Sequence, residues 1–226
     1  MIVLFIAFVA FIVAAVYFSS LLAAQRRKEV SDWGTAHDLA FSPAKDCTLE
    51  SRFAAFACLR SGRNRYADNI LTGKWSDRDF LSFDYHYETT TQNSSGGQQT
   101  HHHHFSAVVL SSPIPLKPLF IRPEGLFDRL AGFFGFDDIN FESAEFSRAF
   151  YVKSPDKKWA YDVIHQRTME FMLGMPSFSL QFDGHSAMAW RSSTFKPQDF
   201  EQAAEIIRGI LDRLPEYLVQ RQMSQP

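Results

Sequence analysis

The sequence predicts an α+β fold, in which an N-terminal transmembrane helix precedes a mainly antiparallel sheet domain with two or three packing helices. Three observations carry this expectation. Residues 1–24, MIVLFIAFVAFIVAAVYFSSLLAA, hold no charged side chain. Residues 47–112 alternate apolar and polar positions between turn residues, which is the period of strands. Helical spacing returns after residue 154, so strands and helices occupy separate runs, as in an α+β domain. A chain of 226 residues has room for one such core and an appendage.

The appendage reads as a membrane anchor. About 20 apolar residues at ~1.5 Å each cross the ~30 Å hydrocarbon core, and a helix satisfies all its backbone groups there from within. A cleaved secretory signal needs a basic n-region, a shorter apolar run and a small-residue cleavage site. This segment begins without Lys or Arg, and Leu22-Ala23-Ala24 is a poor site. Arg26, Arg27 and Lys28 follow at once, and the basic excess on cytoplasmic flanks predicts a single-pass protein with a cytoplasmic domain. The lipid bilayer is then a partner through residues 1–24. Other membrane proteins are further candidates, since Ala7, Ala10, Ala14 and Ala15 offer a small-residue face.

Residues 25–46 read as a juxtamembrane helix or linker, with Val30, Trp33, Ala36 and Ala40 at helical spacing and Gly34 weakening it. The domain is expected over 47–218. It opens with strands over LESRFAAFACL and YADNILTGKW, separated by the turn RSGRN. A third strand, RDFLSFDYHYETT, sets Leu81, Phe83, Tyr85 and Tyr87 on a buried face and Ser82, Asp84, His86 and Glu88 on a wet one. The paired glycines of NSSGGQ suit a hairpin connection to the returning strand HHHHFSAVVLSS. The four prolines of PIPLKPLFIRPEG argue against a central strand.

A short helix is expected over EGLFDRLAGFF, whose apolar residues suit core packing better than a membrane interface, followed by a strand over FSRAFYVKS. SPDKKWAYDVIHQRTMEFML reads as one helix with Ser154 as N-cap and a stripe of Ala160, Val163, Ile164, Thr168, Phe171 and Met172. PSFSLQFDGHSAMAWRSS reads as a hairpin about Asp183-Gly184. A last helix is expected from Pro197 to Leu214, and a disordered tail over 219–226.

The sequence names few sites. A net charge of −2 and a pI near 6.4 argue against nucleic-acid binding. Four consecutive histidines, His101 to His104, cannot all face one ion from a strand, because successive side chains alternate. If the hairpin register is right, His102 and His104 share a face with His86, Glu88 and Asp84. His86, Glu88, His102 and His104 are then the candidate metal ligands, zinc or nickel being suited to imidazole. The plainer alternative is solvent-facing histidines near a hairpin end.

Asp137, Asp138, Glu142 and Glu145 form an acidic cluster without an EF-hand pattern. Ser42-Pro-Ala-Lys45 and Ser154-Pro-Asp-Lys157 match S-x-x-K without its partner motifs. Arg60, Arg63 and Arg65 bracket a turn, either a hairpin tip or a contact for anionic headgroups. Cys47 and Cys58 fit either redox compartment. No motif for a nucleotide or other cofactor is present, so none is expected.

The order of segments resembles a family of bacterial membrane-anchored proteins of unknown function. The resemblance rests on FDYHYET, PIPLKPLFIRPE and FESAEFSRAFYV, on the helix led by Asp156, and on the closing Leu214-Pro215, all behind an N-terminal apolar helix. It implies an anchored domain and carries no catalytic residue. The function expected is a non-enzymatic binding or scaffold domain at the membrane. The alternatives are a membrane-bound metal-dependent hydrolase, or a sensor or accessory subunit of an envelope system.

Overall fold

The computed structural model describes residues 2–92, 96–125 and 138–224. Helix α1, Ile2–Ala36, runs unbroken through residue 24, taking the helical of the two courses expected for residues 25–46, a juxtamembrane helix or a linker. Its first part is exposed along its length, with Phe5, Phe8, Phe11, Val16, Phe18 and Leu22 all open. Its last part is different: Val30 and Trp33 are buried in the domain core. Gly34 belongs to that packing, since a Cβ there would stand 2.3 Å from the Leu71 side chain.

The domain is built on a six-stranded sheet in which every pairing is antiparallel. Its strands are β1 Ala40–Ser42, β2 Arg63–Trp75, β3 Arg78–Gln92, β4 Gln98–Pro123, β5 Phe150–Lys153 and β6 Ser179–Arg191. They pair in the order β1-β2-β3-β4-β5, and β6 pairs the other edge of β4. The helices after α1 are α2 Leu49–Arg52, α3 Ala144–Ala149, α4 Lys157–Val163, α5 Gln166–Leu173, α6 Pro197–Leu211 and α7 Glu216–Met223. A 3-10 turn spans Ala57–Arg60. The α+β class expected from the sequence is the class observed.

Both faces of the sheet are covered. On one face Phe80, Val108, Leu110, Ala187 and Ala189 pack with Val30 and Trp33 of α1 and with Phe200, Ala203 and Ile207 of α6. On the other, Leu81, Phe83, Tyr85, Val109, Met188 and Trp190 close over Leu49, Phe56 and Leu59. The wet face expected for β3 is therefore dry along its middle, with Ser82, Asp84 and His86 buried. The segment that covers it is the end of α1, which meets Asp84 through Arg26, 58 positions earlier in the chain.

Several local expectations give way to tertiary context. LESRFAAFACL forms α2 and the 3-10 turn in place of a strand, laying Leu49, Phe56 and Leu59 across the sheet. The proline-rich stretch does lie in the central strand: β4 pairs β6 as far as Ile121. Pro113, Pro115 and Pro118 fall where that ladder shifts register, between Ser111 and Leu116 and between Leu116 and Leu119. A bulge tolerates a residue without an N–H. Gly184 adopts φ +54 opposite Leu116 in the same irregularity, so Asp183-Gly184 bends one continuous strand, with no hairpin there.

The helix expected from Ser154 to Leu173 is broken at Ile164 and His165 into α4 and α5. FSRAFYVKS divides between α3 and β5, and α7 continues to Met223, across part of the expected tail, with Leu218 buried. The helix expected over EGLFDRLAGFF lies outside the described residues from Leu126 onward.

Asp156, and not Ser154, caps α4. Its Oδ1 accepts from the Trp159 amide at 3.0 Å while Oδ2 accepts from Lys117 Nζ at 2.8 Å. The Lys117 hydrogen bond, with the Trp159 amide next, holds this carboxyl below its ordinary 3.8. Asp156→Ala is expected to cost about 1 kcal/mol, the usual loss for an N-cap. A carboxyl whose folded-state pKa is depressed stabilises above its unfolded value and ceases to do so as pH falls through the folded one. Thermal melts of wild type and variant should therefore differ at neutral pH and converge below ~pH 4.

Candidate functional site

Two polar clusters stand on the face of the sheet that α1 covers. The first joins α1 to the sheet. Arg26, at 20% side-chain exposure, meets Asp84, at 9%, through two parallel hydrogen bonds: Nε to Oδ2 at 2.8 Å and an Nη2 to Oδ1 at 2.7 Å. Its other terminal nitrogen donates to the Phe195 carbonyl at 2.5 Å. Asn69 donates to the same carboxylate at 3.0 Å, and the Ser106 hydroxyl also donates to it while accepting from the Phe195 amide at 2.9 Å. Asn69 reaches in because it has φ +48 at a register shift of β2 against β3.

The two-pronged match of guanidinium and carboxylate fixes both distance and orientation. Beside it, Asp68 is pushed above the ordinary carboxylate value by burial, with Asp84 adding to the shift. Sequence reasoning read Arg26 only as a membrane-flanking charge and placed Asp84 with the histidines. The available signal was an acid set between Phe83 and Tyr85 in a strand, a position that asks for a partner once both faces are covered.

The second cluster lies two residues further along the β3–β4 hairpin. His86 pairs across the strands with His104, and Glu88 with His102, so the register brings the candidate residues to one face as expected. His86 Nε2 stands 3.2 Å from His102 Nδ1, which stands 3.5 Å from Glu88 Oε1. Ligand atoms of His86, Glu88 and His102 all lie within 4.8 Å of one another. The His104 ring centre is 4.8 Å from that of His86, outside this trio. Burial and then the neighbouring His86 lower the pKa of His104.

His101 and His103 turn to the opposite face, bonding Thr91 and Thr89, with His103 stacked on Tyr87. Asp84, placed with the histidines by alternation, is instead engaged by Arg26.

The remaining candidates disperse. Asp138 accepts from the Val152 amide, while Glu142 and Glu145 are exposed; Asp137 lies outside the described residues. Ser42 accepts from the Ala44 amide, Lys45 sits over the Tyr66 ring, and Ser154 donates to the Pro118 carbonyl. Each serine is thus engaged with nearby backbone groups. Arg65 is held by Glu50 and by the carbonyls of Arg60 and Gly62, and Arg63 approaches Glu88 at 3.8 Å. Cys47 is exposed and Cys58 buried, with no disulfide between them. A cleft lined by Arg52, Phe53, Thr72, Asp79 and Ser111, and another lined by His165, Arg167, Asp212 and Arg213, share no residue with the histidine cluster.

No protein-family model matches the chain, and no curated protein matches its sequence. In fold it is similar to the crystal structure of the mycobacterial trehalose monomycolate transport factor A, TtfA. The two share a TM-score of 0.62 at 12% sequence identity, over 82% of this chain and 92% of that one. At that identity the likeness is one of fold, and no residue's role carries over.

Removing one member of a buried ion pair strands the other, at about 3 kcal/mol. Arg26→Ala is expected to lower the stability of the detergent-solubilised chain by that order and to open the Glu29–Leu39 segment to proteolysis. Arg27→Ala, at an exposed neighbour, should change stability by under ~0.5 kcal/mol. Equal melting temperatures for the two variants would show that the guanidinium does not dock the helix.

Proposed function

We propose that this chain is a single-pass membrane protein whose α+β domain is a non-enzymatic binding or scaffold module held rigidly at the bilayer surface, in an accessory role to other membrane components. One observation carries the reading: a single helix is exposed and apolar through Leu22 and buried in the domain core from Val30. The helix has the length to cross a membrane, and its first part the apolarity. Its exposed face of Phe, Leu, Ile and Val has no cover in water, and lipid supplies one. The fold likeness to a transport factor supports an accessory role, as that protein is described by its part in transport and not by a reaction.

The geometry adds a constraint to tethering. Only Gln25 separates the apolar segment from Arg26, which is locked to the sheet. An ordinary linker lets a domain roam through a volume set by its length. Here the helix holds the domain to one height and one orientation. Restriction to the membrane surface raises its effective concentration toward other membrane proteins, which is what an accessory or scaffold component needs. The cytoplasmic side remains the proposed location, now resting chiefly on exposed Arg27 and Lys28, since Arg26 is turned into the domain.

Cys47 makes the orientation testable without mutation, being exposed while Cys58 is buried. A membrane-impermeant maleimide should leave Cys47 unlabelled on intact cells and label it after permeabilisation; labelling of intact cells would reverse the orientation. For the scaffold role, reversible crosslinking in native membranes should recover a defined set of membrane proteins. A chain whose residues 1–24 are kept but whose Arg26 and Asp84 are both replaced by Ala should recover fewer. Recovery of the bait alone would count against the role.

A further inference from the structure

The geometry points to a divalent-metal site formed by His86 Nε2, Glu88 Oε1 and His102 Nδ1, selective for zinc or a similar first-row ion and with a fourth coordination position open to solvent. Four ligands at ~2.0–2.1 Å in a tetrahedron stand ~3.3–3.4 Å from one another. The donors here stand 3.2 Å apart for the two imidazoles and 3.5 Å for His102 and Glu88. Those two edges match a tetrahedron, and the third, between His86 and Glu88, lies within 4.8 Å, so an ion entering between them draws these two donors together.

The surroundings already orient the donors. A backbone carbonyl can only accept, so the 3.1 Å contact of His86 Nδ1 with the Asn64 carbonyl places the ring proton on Nδ1 and turns the Nε2 lone pair toward the cluster. Tyr66 stacks on the same ring with centres 4.7 Å apart. Asn64 then holds the carboxylate as well: its side-chain amide donates to Glu88 Oε2 at 2.7 Å, leaving Oε1 for the ion. One residue on β2 therefore sets two of the three donors, which are themselves fixed by neighbouring positions of a hairpin.

His102 completes the set from the strand opposite, and its side chain is 60% exposed. Binding requires its proton to leave Nδ1 for Nε2, which faces water and needs no protein partner. Two nitrogens and one carboxylate oxygen suit zinc, and three protein ligands leave a position for water or an incoming donor. The four-histidine run acquires a division of labour: His102 ligates, while His101 and His103 belong to the other face.

The test uses the full chain, untagged, in detergent micelles, dialysed against zinc and separately against magnesium, with elemental analysis of the retained ion. One zinc per chain and no magnesium is expected, with cobalt giving the visible absorption of a tetrahedral site. Glu88→Gln and His102→Ala should each weaken zinc binding at least ~10-fold. His101→Ala/His103→Ala removes two imidazoles from the opposite face and should retain stoichiometric zinc. The site is refuted if wild type retains no zinc, or if the His101/His103 variant loses as much zinc as the Glu88 and His102 variants. Glu88, at 14% side-chain exposure, keeps an oxygen for Asn64 in the glutamine variant, and His102 is exposed, so both variants are expected to fold, and unchanged melting temperatures without metal confirm it.

Discussion

The contact on which this architecture depends is the ion pair between Arg26 and Asp84, placed where an apolar helix becomes part of a folded domain. Had the chain loosened after residue 24, the sheet face carrying Phe80, Val108 and Leu110 would keep α6 but lose Val30 and Trp33 from its cover. Burying Val30 and Trp33 contributes roughly 1.5–3 kcal/mol each. Hydrophobic contact is non-directional, however, and leaves a helix free to slide or rotate. The paired hydrogen bonds to Asp84 select one rotation and one height, and Asn69, Ser106 and the Phe195 carbonyl complete the shell around the charges. A charge pair in that setting specifies geometry more than it adds stability.

The central strand explains how the sheet tolerates so long a β4. Its two edges serve different partners, with β3 and then β5 along one and β6 along the other. Prolines lack the donor such a position demands, so they sit at the register shifts opposite β6, where Gly184 supplies the matching bend. The hairpin end beyond this double-sided core is covered less completely. Polar groups gather there, and His86, Glu88 and His102 come together where the packed core gives way to solvent. Trp33 packs against Phe80 and Arg26 against Asp84, so α1, followed toward its N-terminus, runs back along β3 in the direction of the hairpin tip. The histidine cluster thus lies on the same side of the ion pair as the exposed apolar part of α1.

Much of this was legible because it depends on period or composition. The apolar part of α1 is an uncharged run, β2 and β3 show strand alternation in sequence although both faces of β3 are covered, and α6 carries Phe200, Ala203, Ala204 and Ile207 at helical spacing. The shared face of His86, Glu88 and His102 follows from alternation together with a register that the turn residues alone left open. Two errors had the same origin. LESRFAAFACL has the apolar content of a strand but lies across a sheet that needed a lid, and the segment around Gly184 has a turn dipeptide but a partner strand long enough to keep it extended. In each case a non-local surface overrode a local preference.

By itself the amino-acid sequence determined the α+β class, the long apolar N-terminal helix and the identity of the titratable residues that could act. Those follow from side-chain type and spacing, which are local. Only the tertiary structure decided that Arg26 belongs to the domain and not solely to the membrane flank, that Asp84 is its partner and not a metal ligand, and that Asn64 orients two donors of the histidine cluster. These depend on residues 58, 22 and 24 positions apart in the chain meeting at hydrogen-bond distance. No periodicity encodes such meetings, because they are set by how α1, the bulged β2 and the hairpin register close together around one core.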